Sequence, residues 1–225
     1  GPMTVSEFKS GQSNPTYRLT TSDASYVLRR KPPGTLLPSA HAVDREYRII
    51  HALAETDVPV PRTFLLCEDE SVVGTMFYVM DFLDGRIFFD PRLPEVSSDQ
   101  ERAAIFDAMN EVIAALHNVG YKAVGLGDFG REGGYVARQI GRWSKQYKAS
   151  ETDSIDTMER LMAWLPEHLP AHDETTLVHG DFRLDNLVFH PTEPRVIGVL
   201  DWEIATLGNP LADFAYHVMA WRGSP

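Results

Sequence analysis

Between Thr176 and Glu203 the chain places two polar clusters at the open end of one short apolar hairpin. The first cluster is His179-Gly180-Asp181-Phe182-Arg183-Leu184-Asp185-Asn186. The apolar run Leu187-Val188-Phe189 follows, a turn containing Pro191 and Pro194 reverses the chain, and Val196–Leu200 returns. Short apolar runs bounded by turn formers read as strands. Asp201-Trp202-Glu203 comes directly after the returning strand. A hairpin brings the chain back to its starting end, so Asp181, Asn186 and Asp201 are expected to converge.

Around this segment the pattern divides in two. Residues 16–20 and 25–30 read as paired strands across the polar turn Thr21-Ser22-Asp23, and residues 62–67 and 75–81 read as a second hairpin. Between them Val43, Tyr47, Ile50 and Leu53 recur at steps of four, three and three, one face of a helix that Pro59 and Pro61 bring to an end. Residues 3–83 are therefore expected to form a strand-rich N-lobe with one helix. After Asp84-Gly85 the period changes. Ile105, Phe106, Met109, Val112, Ile113 and Leu116 predict a helix over 99–118, with further helices over 132–148 and 154–165 and a last one from Pro210. Residues 84–225 are expected to form a mainly helical C-lobe with a small β insertion from Thr176–Val178, Asn186–Phe189 and Val196–Leu200. The fold class is α+β, with a hinge near residues 81–86.

Composition removes several classes of function. The 225 residues are 43% hydrophobic and 24% charged, enough apolar material for a packed core, which a disordered chain would lack. No run approaches the roughly 18 apolar residues of a membrane span, and the first twenty residues hold no apolar signal region. The single Cys67 can form neither an intrachain disulfide nor a multi-cysteine zinc site. The eight histidines show no metal-ligand spacing, since His168 and His172 are separated by Pro170. A cytoplasmic location without membrane attachment is expected. The net charge of −11 repels a phosphate backbone, so nucleic acid is not an expected partner. That charge reads either as solubility or as an acidic pocket for a cationic substrate. Gly1-Pro2 ahead of Met3 reads as a scar of tag removal.

Taken singly, Asp181 and Asn186 read as side-chain turn formers and Asp201 as a helix cap. Their joint spacing across a hairpin fits phosphoryl transfer. That chemistry needs one carboxylate to orient a hydroxyl and accept its proton, and oxygen ligands to hold Mg²⁺ against nucleotide phosphates.

The same residues resemble the aminoglycoside phosphotransferase-like family of kinases. His179-Gly180-Asp181 with Asn186 is similar to its catalytic loop, Asp201-Trp202-Glu203 to its metal-binding motif, and Gly208-Asn209-Pro210-Leu211-Ala212-Asp213 to the segment that follows. The resemblance implies a bilobal protein-kinase-like fold, with ATP and Mg²⁺ as cofactors. It gives Asp181 the role of base, Asn186 and Asp201 the role of metal ligands, and Asp213 that of a brace for the catalytic loop. In the first lobe, Lys9-Ser10-Gly11-Gln12-Ser13-Asn14-Pro15-Thr16 resembles the nucleotide loop, with Ser13 and Asn14 as donors to phosphate. Arg29 stands where a lysine is common, Glu46 resembles its carboxylate partner, and Asp81 and Leu83 resemble the edge that receives adenine. His117 reads as a packed helix-end residue.

Within the family the sequence is most similar to the kinase-like domain joined to certain acyl-CoA dehydrogenases. The likeness is carried by Leu28-Arg29-Arg30-Lys31-Pro32-Pro33-Gly34 and Asp201-Trp202-Glu203-Ile204-Ala205-Thr206-Leu207-Gly208. This branch implies a small-molecule acceptor, a hydroxy acid or hydroxyacyl-CoA. An aminoglycoside or amino-alcohol acceptor, and a non-catalytic nucleotide-binding module suggested by Arg29, stand as alternatives. Arg138 and Arg142, one helical turn apart, are candidates to meet an anionic acceptor or else a solvated helix face. Kinases of this type usually extend further at both ends, so the first strand and part of the acceptor lobe are expected to be missing.

Overall fold

The computed structural model describes residues 1–8, 14–32 and 42–222 of the chain. The first lobe is one antiparallel sheet of β1 (Thr4–Glu7), β2 (Thr16–Thr20), β3 (Ser25–Arg30), β4 (Thr63–Cys67) and β5 (Phe77–Asp81), in the spatial order β1-β2-β3-β5-β4. Helix α1 (Val43–Leu53) joins β3 to β4, and the single turn α2 (Glu70–Val73) joins β4 to β5. The expected turn at Thr21-Ser22-Asp23 forms: the Thr21 N–H donates to the Ala24 carbonyl at 2.9 Å and the Thr21 hydroxyl accepts from the Ala24 N–H at 3.1 Å. That turn fixes the pairing of Tyr17 with Leu28 and Thr16 with Arg29.

The second lobe begins with α3 (Asp99–His117), whose first turn is capped by the Ser98 side chain. Its buried face is Ile105, Ala108, Met109, Val112, Ile113 and Leu116, close to the stripe read from the sequence. Helices α4 (Tyr135–Ser150) and α5 (Asp156–Trp164) follow. The predicted start at 132 moves to 135 because Gly133 and Gly134 take positive φ angles of 68° and 62°, which a right-handed helix does not allow. Then come β6 (Thr176–Val178), β7 (Leu187–Phe189), β8 (Val196–Val199), β9 (Thr206–Gly208) and α6 (Pro210–Arg222). Among the described residues no helix is long and apolar enough to cross a membrane.

The strands depart from expectation in two places. Thr4–Glu7, ahead of the strands expected from the sequence, forms the sheet edge along β2; all four of its residues are exposed, so no apolar alternation marks it. The β insertion is two separate ladders. The β7–β8 hairpin stands alone, and β6 pairs with β9, a strand that follows the hairpin in the chain.

One apolar core runs through both lobes, from Val27, Ile50 and Tyr78 to Phe182, Leu187, Phe189 and Trp202. Polar ties cross the same junction. The Val199 N–H donates to the Pro59 carbonyl at 2.9 Å, and Arg45 donates to the Phe129 carbonyl at 2.8 Å while lying over its ring. The linker after β5 is pinned too, because Arg86 and Phe189 exchange both backbone hydrogen bonds at 2.8 Å. Gly85 makes that close approach possible. A Cβ there would lie 2.2 Å from the Phe189 carbonyl oxygen, a backbone atom that cannot swing away. Gly85→Ala should therefore destabilise the protein by about 1–3 kcal/mol, read as a lower denaturation midpoint. An unchanged midpoint would show that the linker can lift off β7 at no cost.

Candidate active site

The catalytic-loop candidates sit on a backbone fixed from behind by one carboxylate. Asp213 of α6 accepts from the His179 N–H at 2.9 Å through Oδ2 and from the Gly180 N–H at 2.8 Å through Oδ1. His117, at the end of α3, bonds the same Oδ2 through Nε2 at 3.1 Å. Burial pushes the Asp213 carboxyl up, but these donors outweigh it and hold the group below its ordinary value. His117 thus supports the brace rather than merely packing. Gly180 takes a φ of +82°, which turns the chain out of β6 toward the cleft. The His179 ring is buried between Phe182 and Trp202, with Nε2 on the Leu200 carbonyl at 2.9 Å and Nδ1 accepting the Asp181 N–H at 3.2 Å. Those two bonds require the neutral tautomer with the proton on Nε2, and burial lowers the pKa of His179 in agreement.

The sequence-predicted trio comes together. The Asn186 amide nitrogen donates to the Asp181 carbonyl at 2.9 Å and to Asp181 Oδ2 at 3.0 Å, which turns the amide oxygen elsewhere. The Leu200 N–H donates to the Asn186 carbonyl at 2.8 Å and so ties the end of the returning strand to the loop. Asp201 follows in the left-handed region, at φ 63° and ψ 57°, a conformation that costs a non-glycine residue roughly 1–2 kcal/mol. It is held there by Leu200 on one side and by Trp202 on the other, whose indole N–H donates to the Val199 carbonyl at 2.9 Å.

Arg29 reaches this group from the first lobe. Its Nε lies 2.8 Å from Glu46 Oε2, and its Nη2 lies 2.7 Å from Asp201 Oδ1 and 3.8 Å from Glu203 Oε2. Glu46 is on the buried face of α1 with Val43, Ile49, Ile50 and Leu53 and is 1% exposed. Burial pushes its carboxyl up to about 7, against the pull of Arg29. Burial also opposes the charge on Arg29, but Glu46, Tyr78 and Asp201 more than offset it and hold the guanidinium above its ordinary value.

These residues line an interlobe cleft of about 630 Å³. Val27, Met80, Phe82, Leu83, Val188 and Leu200 give it apolar walls, and Asp81, Asp181, Asp185, Asn186, Asp201 and Glu203 give it oxygen donors. Asp81 and Leu83 both border the cleft as the sequence predicts. Ser13 lies outside the described residues. Asn14 is buried and is not among the cleft-lining residues, whereas Thr16 lines the cleft and donates its hydroxyl to the Asn14 carbonyl at 2.9 Å. Arg138 and Arg142 border a separate shallow groove along α4. Arg138 is committed to the Gly133 and Arg131 carbonyls, and Arg142 lies over the Trp143 ring.

Sequence reasoning missed Tyr216 and Arg183. The Tyr216 hydroxyl donates to Asp181 Oδ1 at 2.8 Å, and Arg183 Nε lies 3.2 Å from Asp181 Oδ2. The spacing of Tyr216 was a usable signal, since it is three residues beyond Asp213 on α6 and so flanks the brace.

Mg²⁺ accepts hard oxygen ligands and commonly takes only one or two from protein, with phosphates and water completing the shell. The Asp201 carboxylate and the Asn186 amide oxygen suit that requirement. Among the described residues no three His, Cys, Asp or Glu side chains form a metal-holding group, so a dedicated all-protein cage is not what this cleft offers.

A five-stranded sheet with a buried glutamate on its helix, set over a helical lobe that carries this loop and hairpin, is the bilobal kinase-like fold. The comparisons are specific about the lineage. Residues 4–225 match the phosphotransferase enzyme family, and the chain belongs to it. It is 54% identical over 221 residues to acyl-CoA dehydrogenase family member 10 of Mus musculus, covering 98% of this chain and 21% of the mouse protein. The crystal structure of an aminoglycoside phosphotransferase-like protein from Ralstonia eutropha superposes with a TM-score of 0.91 at 56% identity, covering 100% of this chain and 66% of that one. Aminoglycoside phosphotransferase APH(4)-Ia, solved with ADP and hygromycin B, shares the fold with a TM-score of 0.70 at 18% identity, covering 97% and 72%. The chain thus spans about a fifth of the length of the mouse relative and 66% of the bacterial protein.

The neutral His179 makes stability pH-dependent. Its folded pKa lies below the ordinary 6.5, so its contribution is full above that value and is lost as pH falls through it, when the unfolded chain takes up a proton that the folded one does not. Denaturation midpoints should therefore drop between pH 7 and pH 5, with a shallower drop in His179→Gln. Equal slopes would show that His179 is not held neutral.

Proposed function

We propose that this chain transfers the terminal phosphoryl group of ATP, with Mg²⁺, to a hydroxyl of a small molecule. The observation that supports this most directly is that Asp181, Asn186 and Asp201 border the same cleft as the Arg29–Glu46 pair. In this reading adenine lies between Val27 above and Val188 and Leu200 below, with the backbone edge at Asp81 and Leu83 beside it. Asp181 orients the acceptor hydroxyl and takes its proton. The acceptor oxygen then bonds to phosphorus as the bond from phosphorus to the ADP oxygen breaks. Asn186 and Asp201 would hold Mg²⁺, which supplies positive charge to the phosphate oxygens. Arg29 fixes Asp201 in place, and Asp213 keeps the loop rigid.

For the acceptor we favour a hydroxy acid or its CoA thioester, because the relative from mouse carries this unit within an acyl-CoA dehydrogenase family member. The carboxylates Asp81, Asp185 and Glu203 along the cleft support a second reading, in which the acceptor is a cationic amino alcohol or aminoglycoside. A fold alone does not choose between them.

The test is ATP turnover and phosphate transfer across hydroxy acids, hydroxyacyl-CoAs, amino alcohols and aminoglycosides. One class should turn over, and Asp181→Asn should lose about 10²–10⁴ in rate while still binding nucleotide. A mutant as active as the parent would remove Asp181 from the reaction, and nucleotide binding without turnover of any acceptor would favour a non-catalytic module.

A further inference from the structure

We infer that Arg183 is the cation that pairs with the oxygens of the phosphoryl group in transfer, and that it does so by leaving Asp181. This rests on the phosphotransferase reading above. Among the described residues that line the cleft, the cations are Arg29 and Arg183. Arg29 is 13% exposed and is bound to Glu46 on one edge and Asp201 on the other. Arg183 is in the opposite condition. Its side chain is 51% exposed, with Nε 3.2 Å from Asp181 Oδ2 and Nη2 3.2 Å from Asp185 Oδ2.

The local backbone leaves only the side chain free to move. Arg183 is extended, at φ −145° and ψ 165°, between Phe182 and Leu184, both of which are buried. Exposed ion pairs of this kind contribute roughly 0–1 kcal/mol, so the guanidinium can exchange partners cheaply. A phosphate offers the planar guanidinium a bidentate and more highly charged acceptor than either carboxylate.

The exchange brings a counter-charge to the equatorial oxygens of the phosphoryl group while the bond to ADP breaks and the bond to the acceptor oxygen forms, and it releases Asp181 Oδ2 from its contact with Arg183. The acceptor proton ends on Asp181, and ADP leaves without the phosphoryl group. Asn186, which is buried, and Tyr216 on the other oxygen keep Asp181 oriented after Arg183 has moved.

The experiment compares the parent with Arg183→Gln and Arg183→Lys in two assays. One is steady-state phosphate transfer. The other is binding of ADP with Mg²⁺ and of a non-hydrolysable ATP analogue with Mg²⁺, with thermal melts to confirm folding. Arg183→Gln should lower kcat by about 10²–10³, the loss seen when one stabilising donor is removed. It should bind ADP as the parent does but lose affinity for the analogue, and Arg183→Lys should recover part of both losses. Equal loss of ADP and analogue binding, or unchanged kcat, would overturn the inference. If the parent turns over no acceptor, the phosphotransferase reading fails by itself. The binding assay still decides whether Arg183 meets the terminal phosphate.

Discussion

One guanidinium ties the two lobes together. Arg29 on β3 holds Glu46 of α1 and Asp201 at the end of the β7–β8 hairpin, so three segments distant in sequence meet on one planar group. A lysine ammonium is a point charge, whereas the arginine fork meets two carboxylates along different edges. The arrangement is demanding. Withdrawing charges from water costs several kcal/mol per ion, and the loss of one partner strands the others. Here two carboxylates touch the guanidinium and a third, Glu203, stands 3.8 Å away. Burial drives Glu46 up to about 7, and its carboxylate neighbours Asp201 and Glu203 add to that. Around Arg29 the carboxylates therefore outnumber the cation, and in the proposed function a nucleotide-borne cation would offset the excess at Asp201.

The catalytic loop depends on a second tie, made in the opposite way. Asp213 is a buried carboxylate whose oxygens are filled by two backbone N–H groups and a histidine, so it needs no cation to remain charged. Through it α3 and α6 both fix the backbone that presents Asp181. A carboxylate on a loop is then held nearly as firmly as one on a helix, which the proton abstraction proposed for Asp181 requires.

How much of this was legible follows from the range of each signal. The hairpins of the first lobe, α1 and α3 announce themselves by local period, whereas Glu46 was readable as a partner only through the family resemblance, and its place on the face of Val43, Ile50 and Leu53 buries it. The trio of Asp181, Asn186 and Asp201 was readable because a hairpin converts spacing into proximity. Strand β1 was not, since it is exposed along its whole length, and β9 was not, since its three residues have meaning only beside β6. Asn14 looked like a phosphate donor in a polar cluster, yet tertiary packing buries it and leaves Thr16 at the cleft. No local pattern reports that choice.

An arginine on β3, at the position where the family resemblance leads one to expect a lysine, has a consequence for the other end of the cleft. A guanidinium whose Nε and Nη2 edges are occupied by Glu46 and Asp201 has less to offer the nucleotide phosphates than an ammonium with one partner. In the proposed function, phosphate recognition then draws on other donors: backbone N–H groups and side chains that approach from the second lobe. The catalytic loop carries a cation where such a donor is needed, alternating Phe182 inward, Arg183 outward and Leu184 inward. The same alternation that packs the loop onto the core leaves the Arg183 side chain half exposed beside Asp181 and Asp185, so packing and charge placement in this loop have a single cause.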